Sequence, residues 1–179
     1  MIQLLLQRVV LALCMIGFFT GCSTTCRQWN YMEMITSFPS YNSGRMSLEQ
    51  ESLYSYLEVE LIRTRSGVRM YLNVLLMQAK PCEDNQLMTP LEIVLPDQTL
   101  TVAADLFQGG QHILIPQDIT DLLVQNLLDG QFFTIKLGSK SVSIIPDNFQ
   151  KSYTKLLAIP ILAPGGGAKT QSQEELSAE

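Results

Sequence analysis

The chain has 179 residues, 46% of them hydrophobic and 16% charged, with a formal net charge of -5, four Cys, one His and one Trp. That length leaves room for one ordinary domain, and low charge with a mean hydropathy of +0.15 argues against a largely disordered chain. Twelve Lys and Arg against seventeen Asp and Glu, with no basic run, argue against nucleic acid as a partner.

Residues Met1 to Gln7 carry no acid, Arg8 supplies one positive charge, and Val9 to Phe19 are apolar apart from Gly17. This is the charged-then-apolar layout of a secretory signal. A transmembrane helix needs about 20 apolar residues. Here Gln3, Gln7 and Arg8 interrupt one side and Ser23, Thr24, Thr25 and Arg27 close the other, so an uncleaved signal anchor is the weaker reading.

The four residues that follow, Phe19-Thr20-Gly21-Cys22, resemble the lipobox of bacterial lipoproteins, in which small residues precede a lipid-modified Cys. Thr20 and Gly21 fit the small positions, while Phe19 departs from the usual Leu, Val or Ile. The resemblance implies a diacylglyceryl thioether on Cys22, cleavage before it, and acylation of the new amine. Each buried methylene contributes about 0.8 kcal/mol, so two or three chains tether a domain stably where one does not. Ser23, in place of the Asp that retains such proteins on the inner membrane, implies the outer membrane, with the domain in the periplasm or facing outward.

Cys14 leaves with the signal, and a lipidated Cys22 leaves Cys26 and Cys82 as the candidate disulfide of an oxidising envelope. Closing that loop stabilises by about 4 kcal/mol in the chain-entropy model. A Cys82 cross-link to another envelope protein and two unpaired thiols are the alternatives. No C-x-x-C spacing supports a redox motif or a zinc ribbon.

Residues 22-49 read as a lipid-proximal segment, rich in aromatics and broken by Pro39 and Gly44. Trp29 is close enough to Cys22 for its indole to sit at the membrane interface, although packing against the domain is the commoner use of such a ring. A globular domain is expected over 50-158. Leu57, Val59 and Leu61 alternate with Tyr56, Glu58 and Glu60, and Met70, Leu72, Val74 and Leu76 with Arg69, Tyr71, Asn73 and Leu75, which predicts a hairpin turning at Arg65-Ser66-Gly67. Further strands are predicted over 91-95, 100-103 and 112-115. A helical stripe follows, Ile119, Leu122, Leu123 and Leu127, between Pro116 and Gly130. A hairpin over 132-137 and 141-145 and a short closing helix from Phe149 to Leu157 complete the pattern. The expected class is α+β: mainly antiparallel β-hairpins with two short amphipathic helices. Residues 159-179 read as a flexible acidic tail whose three consecutive glycines lack the Gly-Lys-Ser/Thr of a phosphate loop.

Catalytic signatures are sparse. Glu58 and Glu60 share one strand face about 7 Å apart, a spacing that inverting glycosidases use, but a solvated face with a cross-strand pair to Arg69 accounts for them more simply. Asp118 and Asp121 suit the first turns of a helix better than a metal. His112 is the sole imidazole, no Gly-x-Ser-x-Gly is present, and a Cys82-His112 dyad would expose a nucleophilic thiol to oxidation. No cofactor and no metal is expected. The sequence therefore favours a non-enzymatic, lipid-anchored envelope protein, with the membrane as one partner through Cys22 and an envelope protein as the other. A small envelope hydrolase using Glu58 and Glu60, or a carrier of an apolar ligand, stand as alternatives.

Overall fold

A computed structural model describes residues 27-49 and 55-161. Nine strands appear in it: β1 (Trp29–Met34), β2 (Ser43–Leu48), β3 (Leu57–Thr64), β4 (Gly67–Val74), β5 (Met88–Val94), β6 (Thr99–Leu106), β7 (His112–Leu114), β8 (Phe133–Leu137) and β9 (Lys140–Ile144). Two α-helices accompany them, α1 (Gln117–Leu128) and α2 (Phe149–Leu157). The strands form one sheet in the order β1-β2-β3-β4-β7-β6-β5-β8-β9, and every neighbouring pair is antiparallel. The class is α+β with the sheet dominant.

Alternation sets the two faces. Leu57, Val59 and Leu61 of β3 pair with Val74, Leu72 and Met70 of β4, and all six point into the core. Thr64 and Gly67 pair across a two-residue turn, where Gly67 takes φ +105°, a conformation that costs a residue with a Cβ. β7 inserts between β4 and β6, so the loop of residues 75-87 must pass over the end of the sheet. Backbone bonds hold it there: the amide of Ala79 donates to Gly110 at 2.7 Å, and that of Cys82 to Met88 at 2.7 Å.

The sheet starts well before residue 50. β1 and β2 lie in the segment expected to be lipid-proximal, paired Trp29 to Leu48 through Met34 to Ser43. Their alternation is short and interrupted by the 3-10 turn Pro39–Tyr41, which hides the period from a sequence reading. Trp29, Met46 and Leu48 join the core. Side chains tie the start of β1 to the far end of the sheet: Arg27 Nη1 donates to the Ser143 carbonyl at 2.8 Å and Trp29 Nε1 to the Ile145 carbonyl at 2.9 Å.

The helices pack on the sheet's inner face. α1 buries Thr120, Leu123, Val124 and Leu127, with Asp118 in its first turn where the helix dipole favours a negative charge. α2 lies against β1 and β2 and buries Phe149, Ser152 and Leu156. Trp29 meets Phe149 edge-on at 5.1 Å between centroids, and Ser152 donates its hydroxyl to the Trp29 carbonyl at 3.1 Å. Arg63 Nη1 donates to the Leu156 carbonyl at 2.9 Å, placing a cation at the helix C-terminus. Buried Asn42 accepts from the Thr36 amide at 2.7 Å and donates to the Pro160 carbonyl at 2.7 Å, which binds the 3-10 turn to the chain leaving α2.

Candidate functional site

The outer face of the central strands carries the polar side chains. The register places Glu58 of β3, Asn73 of β4 and His112 of β7 in one cross-strand row. His112 Nδ1 lies 2.5 Å from Asn73 Oδ1. A carbonyl oxygen can only accept, so Nδ1 is the donor of this bond. Tyr71 stacks on His112 at 4.6 Å and 15°, and Phe107 leans on the same ring at 5.4 Å. The imidazole is thus fixed by an amide and two aromatic rings.

Beside this row is an open groove of about 480 Å³ lined by Ser55, Glu58, Asn73, Val74, Leu75, Leu76 and Gln111. Its floor is backbone: the Val74 amide donates to the Gln111 carbonyl at 2.8 Å and the Leu75 amide to the Tyr56 carbonyl at 2.7 Å. Just past β4 the chain turns sharply, and Leu76 takes φ +60°. Left-handed backbone in a leucine is strained, of order 1 kcal/mol or more, and it throws the side chain outward to 73% exposure. The period-two pattern predicted Leu76 in the core with Val74; the turn reverses it.

Glu60, one row away, has a different environment. Its residue is 4% exposed, and Arg45 Nε of β2 approaches Oε2 at 2.5 Å. The approach is an ion pair rather than an aligned hydrogen bond, since Oε2 has no hydrogen-bond partner of good geometry. Arg69 is not the partner expected of it: Arg69 stands opposite Ile62, while Tyr71 stands opposite Glu60. The two carboxylates therefore differ, Glu60 sealed under Arg45 and Glu58 open to a groove.

A second surface lies at the β1 edge. Met32, Met34, Ile35, Phe38 and Tyr41 are 69, 64, 54, 69 and 70% exposed, and Phe38 meets Tyr41 edge-on at 6.4 Å. Five large apolar side chains within ten residues of sequence, two on a strand with no neighbour on its outer side among the described residues and three in the segment and turn that follow it, are exposure of the kind that marks interaction sites.

The other residues singled out from sequence are dispersed. Trp29 is buried at 2% exposure with its indole N–H bonded to Ile145, so its ring faces the core and presents no surface to lipid. Cys82 is half-buried in the 75-87 loop; Cys22 and Cys26 lie outside the described residues, as do the signal segment and the acidic tail from residue 162. Asp118 and Asp121 sit on the first turns of α1, Asp121 accepting from Gln117 Nε2 at 2.7 Å. Among the described residues no group of three or more His, Cys, Asp or Glu is placed to hold a metal, and no helix is long and apolar enough to cross a membrane.

No protein-family model, curated protein or solved structure matches this chain.

Proposed function

We propose that this chain is a non-enzymatic cell-envelope protein, anchored by acylated Cys22, whose α+β domain docks on another envelope protein and serves envelope assembly or maintenance. The observation that carries the docking half is the exposed apolar patch of Met32, Met34, Ile35, Phe38 and Tyr41. Such side chains lose free energy in water and recover about 25 cal/mol per Å² when covered. The anchoring half rests on Phe19-Thr20-Gly21-Cys22. The two fit together, because seven residues from Cys22 to Trp29 span at most about 25 Å and hold β1 near the membrane where envelope partners lie. The edge of β1, which pairs with no second strand among the described residues, suits a partner segment added as a further strand, with Met32 and Met34 as its apolar contacts.

The carrier reading finds less support, since Met46, Leu61, Met70 and Leu72 are fully buried in packed core. The hydrolase reading is weakened by the Arg45 pair on Glu60.

In-cell photo-crosslinking from position 38 tests the docking. A discrete adduct that disappears in Met32→Lys/Met34→Lys is expected; a diffuse smear, or an adduct indifferent to that variant, would count against it. Labelling with a palmitate analogue should vanish in Cys22→Ser.

A further inference from the structure

We infer that the groove over β3 and β4, lined by Glu58, Asn73 and Gln111 and walled by Leu76, binds an uncharged saccharide, one ring of a glycan chain lying in it. The inference is independent of the lipid anchor and of the β1 patch.

Size comes first. About 480 Å³ lies within the range of small-ligand sites, and the groove is open along one side, which lets a chain enter without threading. The polar groups come next. A sugar hydroxyl donates one hydrogen bond and accepts others, so its recognition needs both kinds of partner together. Glu58 supplies a carboxylate acceptor. Asn73 supplies donors, because His112 occupies its carbonyl oxygen and leaves the NH₂ end for the groove. Gln111 offers both. Leu75 and Leu76 give an apolar wall against which the C–H face of a pyranose ring can pack.

Preorganisation is the third argument. Asn73 is held by a ring that is itself held by Tyr71 and Phe107, so the amide is oriented before any ligand arrives. A preset donor avoids the ordering cost of about 0.5–1.5 kcal/mol per side chain that binding otherwise incurs. The left-handed Leu76 places an apolar side chain in water at the rim, an exposure that a ligand covering it relieves.

Other occupants fit worse. An anion would meet the Glu58 carboxylate with no Lys or Arg among the described lining residues. A hard cation needs six or more oxygens, and the described lining offers a single carboxylate.

The test uses the full-length chain, nitrogen-15 labelled and held in a detergent that contains no sugar, titrated with the β-1,4-linked tetramer of N-acetylglucosamine and with maltotetraose. Saturable shifts of the Asn73 and Gln111 side-chain amides and the Leu76 backbone amide are expected with at least one of them. Asn73→Ala should weaken binding roughly tenfold, as loss of one hydrogen-bond partner does, and Glu58→Gln, which exchanges a charged acceptor for a neutral one, should weaken it about threefold. Phe38→Ala, on the separate β1 patch, should leave it unchanged. Spectra away from the groove report whether each variant folds, and Glu58→Gln, isosteric on an open face, decides the matter should Asn73→Ala not fold. No saturable shift with either oligosaccharide, equal binding by Glu58→Gln, or binding confined to the ammonium form of glucosamine and lost in salt would overturn the inference.

Discussion

The indole N–H of Trp29 donates to the carbonyl of Ile145 at 2.9 Å, joining residues 116 apart in sequence and closing the first strand of the sheet onto the chain that leaves the last. The same ring packs edge-on against Phe149 of α2, so one side chain connects both ends of the sheet and a helix. Trp29→Ala should cost about 3–5 kcal/mol by opening the core. Trp29→Phe keeps most of the area but leaves a carbonyl unpartnered, at about 1–3 kcal/mol. Denaturant titration followed by circular dichroism measures both. As this is the single Trp of the chain, wild-type emission should be that of a shielded indole, unaffected by lipid-borne quenchers.

Arg45 and Glu60 form an unequal pair, with side chains 48% and 5% exposed. Water reaches the guanidinium readily and the carboxylate hardly at all. Arg45→Met therefore strands a buried carboxylate, and a loss of about 1–3 kcal/mol is expected, below that of a fully buried pair because Arg45 is half in solvent. Glu60→Gln should cost less than Arg45→Met. Combining the two should cost less than the sum, and a double-mutant cycle with no coupling would show that Arg45 does not serve Glu60.

The sequence made the central strands legible because they have one wet and one dry face: Leu57, Val59 and Leu61 against Met70, Leu72 and Val74 lie where a period of two places them. Two kinds of information were hidden. β1 is an edge strand with exposed apolar residues, so Met32 and Met34 blur the alternation that Trp29, Met46 and Leu48 would otherwise reveal. The groove was illegible for a different reason. Glu58, Asn73 and His112 are neighbours through register, and a run of residues separated by 15 and then 39 positions carries no local signal. His112 alone, read from sequence, had nothing to act on. The alternation places Arg69 across the hairpin from Glu58 and Glu60, whereas the partner of Glu60 comes from β2, a strand that periodicity does not show.

Gly44 of β2 lies under the end of α2. A Cβ built there would come within 2.1 Å of Ile159 Cδ1 and 2.8 Å of Leu156 Cδ1, two side chains that are themselves buried. The terminal methyls must turn away into filled space. Gly44→Ala should destabilise by about 1–3 kcal/mol, the ordinary cost of overpacking. The double variant Gly44→Ala/Ile159→Val should recover part of it, and thermal unfolding of the single and double variants checks the order.

Tyr31 gives the domain an alkaline limit. Its hydroxyl donates to Glu33 Oε2 at 2.7 Å, and its pKa is pushed from the ordinary 10 to about 12 by burial first, then by the hydrogen bond and the charge of Glu33, with Arg63 opposing. Burial and Asp121 raise Tyr153 as well, again against Arg63. For an acid whose folded pKa lies above its unfolded one, the neutral form is the one the fold favours. That contribution is complete below pH 10 and is lost as the pH climbs from about 10 towards about 12. Absorbance titration of the phenolates should show one transition near 12 that is missing in Tyr31→Phe and moves down in Glu33→Gln, where the accepting charge is gone. The unfolding free energy of Tyr31→Phe should also fall less steeply than that of the wild type over the same interval. A Tyr31 transition at 10 would mean that the Glu33 bond does not hold the phenol neutral.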